Sequence, residues 1–76
     1  MDISKYEIEI RKHAFVRAME RGITPDMIEA TLVSGKMKRF GKNNVKFMKK
    51  YKHFTVICVD EIIGNKLKIV TVEKKV

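Results

Sequence analysis

One cysteine, Cys58, stands alone in the sequence, so no disulfide can form within the chain. Its setting, Thr55-Val56-Ile57-Cys58-Val59, is apolar and β-branched, which predicts a buried, inert thiol rather than a nucleophile. No apolar run approaches the ~20 residues of a membrane span. No charged-then-apolar leader opens the chain, so the expected location is the cytoplasm, with no membrane partner. There is also no Gly-rich phosphate loop, no CxxC and no HExxH. The acids form no close pair suited to a metal, because Asp60 and Glu61 point to opposite faces on a strand. These absences argue against a metal-dependent nuclease and a nucleotide hydrolase, and no metal or other cofactor is expected.

The most informative absence is of acid between Lys36 and Lys52. That stretch carries eight cations: Lys36, Lys38, Arg39, Lys42, Lys46, Lys49, Lys50 and Lys52. Elsewhere nine cations balance nine acids, so the whole net charge of +8 is local. A surface shaped only for solubility intersperses its signs. A patch of one sign focuses a positive field that attracts phosphate backbones. Two other readings stand beside this one: lysine-rich surfaces occur in thermophiles, and exposed edge strands carry lysine against aggregation.

What is present reads as one domain spanning residues 1–76. Hydrophobic residues make up 45% and charged residues 34%, too apolar for a disordered chain. Tyr6, Ile8 and Ile10 alternate with Glu7 and Glu9, the period of a half-buried strand. The period then becomes helical. Ala14, Phe15, Val16, Ala18 and Met19 fill one side of a helix; His13, Arg17, Glu20 and Arg21 fill the other. Gly22 suits a left-handed helix end. Thr24, Pro25 and Asp26 form a second start signal of cap, first-turn proline and first-turn acid. Ser34-Gly35 stops that helix, and the short connection predicts an αα-hairpin.

Beyond Lys36 the pattern is β. Lys36–Phe40 reads as a short strand and Gly41–Asn44 as a turn. In the next strand Val45, Phe47 and Tyr51 share one face, while Lys46, Met48 and Lys50 share the other. Phe54–Val59 is nearly all apolar, which predicts a central strand covered on both sides. Gly64-Asn65 is a tight turn, residues 67–72 form the returning strand, and Glu73–Val76 is a polar tail. Two helices with one stripe each cannot cover both faces of a four- or five-stranded sheet. One face should hold the helices and the other stay free for a ligand or partner.

The candidate chemistry begins on the first helix. His13, Arg17 and Arg21 are spaced i, i+4 and i+8, along one helical line. Guanidinium groups bind phosphate oxygens in bidentate fashion, and a histidine can move a proton near neutral pH. Together they supply a base, an acid and cations for metal-free RNA cleavage. The same residues also fit the polar face of an amphipathic helix, with Glu20 placed to pair with Arg17. His53 follows Tyr51-Lys52 at a strand junction, either beside Lys46 and Lys50 on the open sheet side or as a strand-end histidine without a role. Lys38, Arg39, Lys46, Lys50 and Lys52 are the candidate nucleic-acid-binding cations. Phe40, Phe47 and Tyr51 interleave with them, a composition that suits base stacking. Phe40 and Phe47 read as core, and Tyr51 is left open.

The segment His13-Ala14-Phe15-Val16-Arg17-Ala18-Met19-Glu20-Arg21-Gly22-Ile23 resembles short prokaryotic domains with the pattern His-Ala-x-x-Arg-x-x-x-Arg-Gly-Ile, placed in the RelE/ParE toxin superfamily. A preceding strand, a capped second helix and a closing Val70-Thr71-Val72 strand extend the likeness over nearly the whole chain. The resemblance implies an α+β, RelE-like fold: an N-terminal strand, a two-helix hairpin, then a 3–4-stranded antiparallel sheet with the helices on one face. It further implies a toxin of a toxin–antitoxin pair, a metal-independent endoribonuclease acting on RNA and held inactive by an antitoxin protein. Other members of the superfamily act on DNA gyrase. His13, Arg17 and Arg21 match the signature positions, and His53 is a candidate by residue type. In one respect the chain departs from the RNA-cleaving members, which place their acid–base residues mainly on the sheet. A helix signature also fits a structural or partner-binding role. The alternative expectation is a non-catalytic module that binds nucleic acid, an antitoxin or another partner through the basic β-stretch 36–52.

Overall fold

The structure, a computed structural model, describes residues 3–76. A 3-10 turn at Ile3–Lys5 leads into β1 (Glu7–Ile10), α1 (Lys12–Glu20), α2 (Pro25–Ser34), β2 (Lys36–Phe40), β3 (Asn44–Lys50), β4 (Thr55–Ile63) and β5 (Lys66–Lys75). The five strands form one sheet in the order β1-β5-β4-β3-β2. β2 to β5 are an antiparallel meander, as their turn residues predict. β1 lies at the far edge, parallel to β5, with Ile8 opposite Leu67 and Ile10 opposite Ile69. That pairing makes the sheet mixed, which the expected all-antiparallel arrangement did not include.

The local signals account for the element ends. Gly22 takes φ 75° after α1, where a side chain would be strained. The Thr24 hydroxyl accepts a hydrogen bond from the Met27 amide at 3.3 Å, and Pro25 opens α2 with no N–H to satisfy. Gly64 holds the first position of the two-residue β4–β5 turn at φ 60°, the arrangement of a II′ hairpin. Gly35 has a different reason. Its φ is ordinary, but a Cβ there would collide with the carbonyl oxygens of Thr31 and Met48, so glycine lets the end of α2 sit on β3.

The core lies between the helices and one face of the sheet. Ala14 and Ala18 of α1, with Ile28 and Leu32 of α2, meet Val45, Phe47, Val56, Cys58, Leu67, Ile69 and Val72. α1 rests on β5, and α2 rests on β3 and β4. An apolar groove of about 740 Å³ runs between them, lined by Ile8, Phe15, Ile28 and Leu32 among others. Each helix therefore docks on its own strands. Only the alanines of α1 are buried; Phe15, Val16 and Met19 remain exposed, so its buried stripe is narrower than its apolar arc.

Two strand readings change. β4 is not covered on both sides: Val56, Cys58 and Asp60 are buried under the helices, while Ile57 and Val59 are half-buried on the opposite face. The near-continuous apolar run reflects an apolar strip on the open face. The expected polar tail is instead mostly strand, because Glu73, Lys74 and Lys75 pair with Ile57, Val56 and Thr55. A bulge in β5 explains its spacing. Val59 pairs with Thr71 and Asp60 with Ile69, leaving Val70 as the extra residue. The bulge reverses the alternation, so that Ile69 and Val72 both point into the core.

Candidate nucleic-acid interface

Strand parity decides which side each cation occupies, because successive side chains alternate and directly paired residues share a face. On β3, Val45 and Phe47 are buried beneath α2, so Asn44, Lys46, Met48 and Lys50 face away from the helices. The β2 register puts Lys36 opposite Met48, Lys38 opposite Lys46 and Phe40 opposite Asn44, all on the open face. On β4 the matching residues are Thr55, Ile57, Val59 and Glu61.

Lys36, Lys38, Lys46 and Lys50 thus collect on one half of the uncovered face. None of the four forms an ion pair within 4.0 Å; Glu61, on the same face of β4, is a diagonal neighbour of Lys46. Among the described residues the one ion pair within 4.0 Å joins Lys66 and Glu9 at 3.9 Å, at the other end of the sheet. Lys38 and Lys46 are direct cross-strand neighbours, an arrangement that destabilises a sheet by roughly 0.2–1 kcal/mol.

The other sequence candidates go elsewhere. Arg39 pairs with Val45 and so points to the helix side of edge strand β2. Lys52 and His53 are exposed in the β3–β4 loop. That loop is closed by a Tyr51 amide to Phe54 carbonyl bond of 2.7 Å and by stacking of the two rings at 5.3 Å. The Lys74 ammonium lies 4.7 Å from the Phe54 ring centroid, so both aromatics are engaged within the fold. Lys49 donates to the Ser34 hydroxyl at 2.8 Å, on the helix side. Phe47 is core as expected. Phe40 is not: it is 41% exposed, because its register opposite Asn44 puts it on the face away from the helices.

Searches against protein-family models, curated proteins and solved structures return no match for this chain. The site therefore rests on its own geometry.

His13 and Arg17 lie on α1 and Arg21 caps its end, across the sheet from Lys46 and Lys50. His13 and Arg17 are exposed, and the Glu20–Arg17 ion pair does not form. Arg21 has a structural partner: its guanidinium donates to the Val72 carbonyl of β5 at 2.9 Å. The Arg11 amide donates to the Ile69 carbonyl at 3.0 Å, so α1 starts beside Ile69 and ends beside Val72. His53 adjoins Thr55, which pairs with Lys75. Rows 69 and 75 are roughly 20 Å apart along β5. The two histidines therefore do not converge on one centre, and neither sits with all the proposed phosphate-holding cations.

The buried ionisable groups are apart from this surface. Burial, with Asp60 adding repulsion, pushes the Cys58 thiol up to about 12, which fits the inert thiol expected. Asp60 is buried with neither oxygen hydrogen-bonded, and burial pushes its carboxyl from 3.8 up to about 7. The described residues contain no cluster of three His, Cys, Asp or Glu placed to hold a metal ion. No helix among them is long and apolar enough to cross a membrane. Sequence reasoning named Lys38, Lys46 and Lys50 but missed Lys36 and Phe40 as surface partners. Period-2 parity from Lys38 would have placed both on the same face.

Proposed function

We propose that this chain binds nucleic acid through the β2–β3 half of its open sheet face. The observation that carries the proposal is the Lys38–Lys46 pair, flanked by Lys36 and Lys50, none of which forms an ion pair within 4.0 Å. Protection of an edge strand accounts for lysines on β2. It does not account for Lys46 and Lys50, which stand on β3, an interior strand. A polyanion turns the repulsion between these groups into attraction and releases its own counterions in doing so.

Binding of a fluorescent RNA, followed by anisotropy across a salt series, tests this. The logarithm of affinity should fall with the logarithm of salt by about 0.7 per phosphate contacted on a single strand and about 0.9 on a duplex. The double variant Lys46→Glu, Lys50→Glu should lose most of the binding while keeping its fold. A flat salt dependence, or unchanged affinity in that variant, refutes the proposal.

A catalytic reading, a RelE-like toxin that cuts RNA without metal and is restrained by an antitoxin, draws on His53. That residue is exposed in the loop directly after Lys50, whereas His13 is on the far side of the sheet. RNA incubated with the protein in EDTA, for wild type, His53→Ala and His13→Ala, decides it. Intact RNA in every lane removes the catalytic reading and leaves the binding one.

A further inference from the structure

The open face is graded rather than uniformly basic. From the β2 edge inward, lysines on β2 and β3 come first. A half-buried apolar strip of Met48, Ile57 and Val59 follows. Glu61 stands farther along β4, and on β5 and β1 acids and lysines are interspersed: Glu73 with Lys68 and Lys75, and Glu7 and Glu9 opposite Lys66 and Lys68. Neighbouring strands are about 4.8 Å apart, so the apolar strip begins within one or two strand spacings of the lysines, roughly 5–10 Å.

This grading selects between forms of nucleic acid. A double helix carries a phosphate backbone on each side and keeps its bases paired inside. Laid on this face, it would set one backbone over the lysines and leave the apolar strip without a base to cover it. An unpaired strand has one backbone and free base faces. One row of cations beside an apolar strip suits it. Phe40 adds a stacking surface at the end of the lysine row: it follows Lys38 on the same face of β2 and is 41% exposed.

Building on the nucleic-acid reading above, we infer that this face takes an unpaired strand rather than a double helix, with the backbone on the β2–β3 lysines and a base stacked on Phe40.

The experiment compares a short fluorescein-labelled RNA with the same RNA annealed to its complement, by anisotropy at one low salt concentration. Wild type, Phe40→Leu and Phe40→Tyr are titrated after thermal melts establish that each folds. The single strand should bind at least about tenfold more tightly than the duplex. Phe40→Leu should lose about tenfold on the single strand alone, and Phe40→Tyr should retain wild-type affinity. If Phe40→Leu does not fold, the wild-type preference and the tyrosine variant still decide the matter. Equal or tighter duplex binding, with Phe40→Leu neutral, overturns the inference and leaves the nucleic-acid reading standing. Failure of wild type to bind either form overturns both.

Discussion

Lys38 of β2 stands directly opposite Lys46 of β3, on the face of the sheet that neither helix covers. Two like charges at cross-strand contact are a standing electrostatic cost to the free protein. Neither lysine forms an ion pair within 4.0 Å that would relieve it. Under the binding proposed above, affinity for a polyanion and stability of the free protein pull this pair in opposite directions.

The first prediction concerns that pair. Lys38→Glu replaces repulsion with attraction to Lys46 and should stabilise the free protein by about 0.5–1 kcal/mol. That corresponds to a rise of a few degrees in melting temperature for a domain of this size. The same change should weaken RNA binding. A variant that melts lower than wild type, or binds RNA equally well, counts against the pair as the functional element.

The α1 residues should separate by role. Arg21→Ala removes the guanidinium bond to the Val72 carbonyl and should cost about 1 kcal/mol of stability. His13→Ala and Arg17→Ala remove exposed side chains without a partner and should change stability by less than about 0.5 kcal/mol. Because they lie across the sheet from the lysines, they should leave RNA affinity within about twofold. A large loss of affinity in either would move the binding surface to the helix side.

Asp60 sets a pH dependence whose sign is determined by burial. Its folded carboxyl is raised to about 7 from an ordinary 3.8, with desolvation as the cause. Neither oxygen has a hydrogen-bond donor, and its cross-strand neighbours Val45 and Ile69 are apolar. The folded state thus holds a proton that the unfolded chain releases. The stability linked to that proton is fully present below about 3.8 and is lost as pH rises through about 7. Its size is up to about 4 kcal/mol. Asp60→Asn removes this titration, so denaturant midpoints of wild type and variant should diverge between pH 4 and 8, with the variant ahead at high pH. Parallel curves would show that Asp60 is solvated or paired in solution.

Gly35→Ala should be more damaging than its small size suggests. The added methyl group meets the Thr31 and Met48 carbonyl oxygens, both backbone atoms that cannot swing away. The α2–β3 contact must open, at about 1–3 kcal/mol, and the melting temperature should fall by on the order of 10 °C. A melt within two degrees of wild type would mean that α2 is free to shift.

Much of this molecule was legible because its signals are local. The alternation through Tyr6, Ile8 and Ile10, the Thr24-Pro25 start of α2, and the glycine turns each depend on a few neighbouring residues. So does the run of cations from Lys36 to Lys52. The errors arose where a local pattern had two tertiary solutions. An apolar run such as Phe54–Val59 is compatible with burial on both faces or with one buried face and one apolar open face. Phe40 reads as core until the β2–β3 register shows which face of β2 turns away from the helices, and the charges ending β5 read as tail until β4 is seen to pair with them.

By itself, then, the sequence determined the helix and strand order, the caps and turns, and the concentration of all excess charge in one stretch, since each follows from backbone preferences and spacing within a few residues. Only the tertiary structure decided that β1 joins β5 in parallel, that Lys38 rather than Arg39 takes the face away from the helices, and that His13 and Arg17 stand across the sheet from Lys46. Those outcomes depend on register between strands distant in sequence, where a shift of one residue would move every side chain to the opposite face.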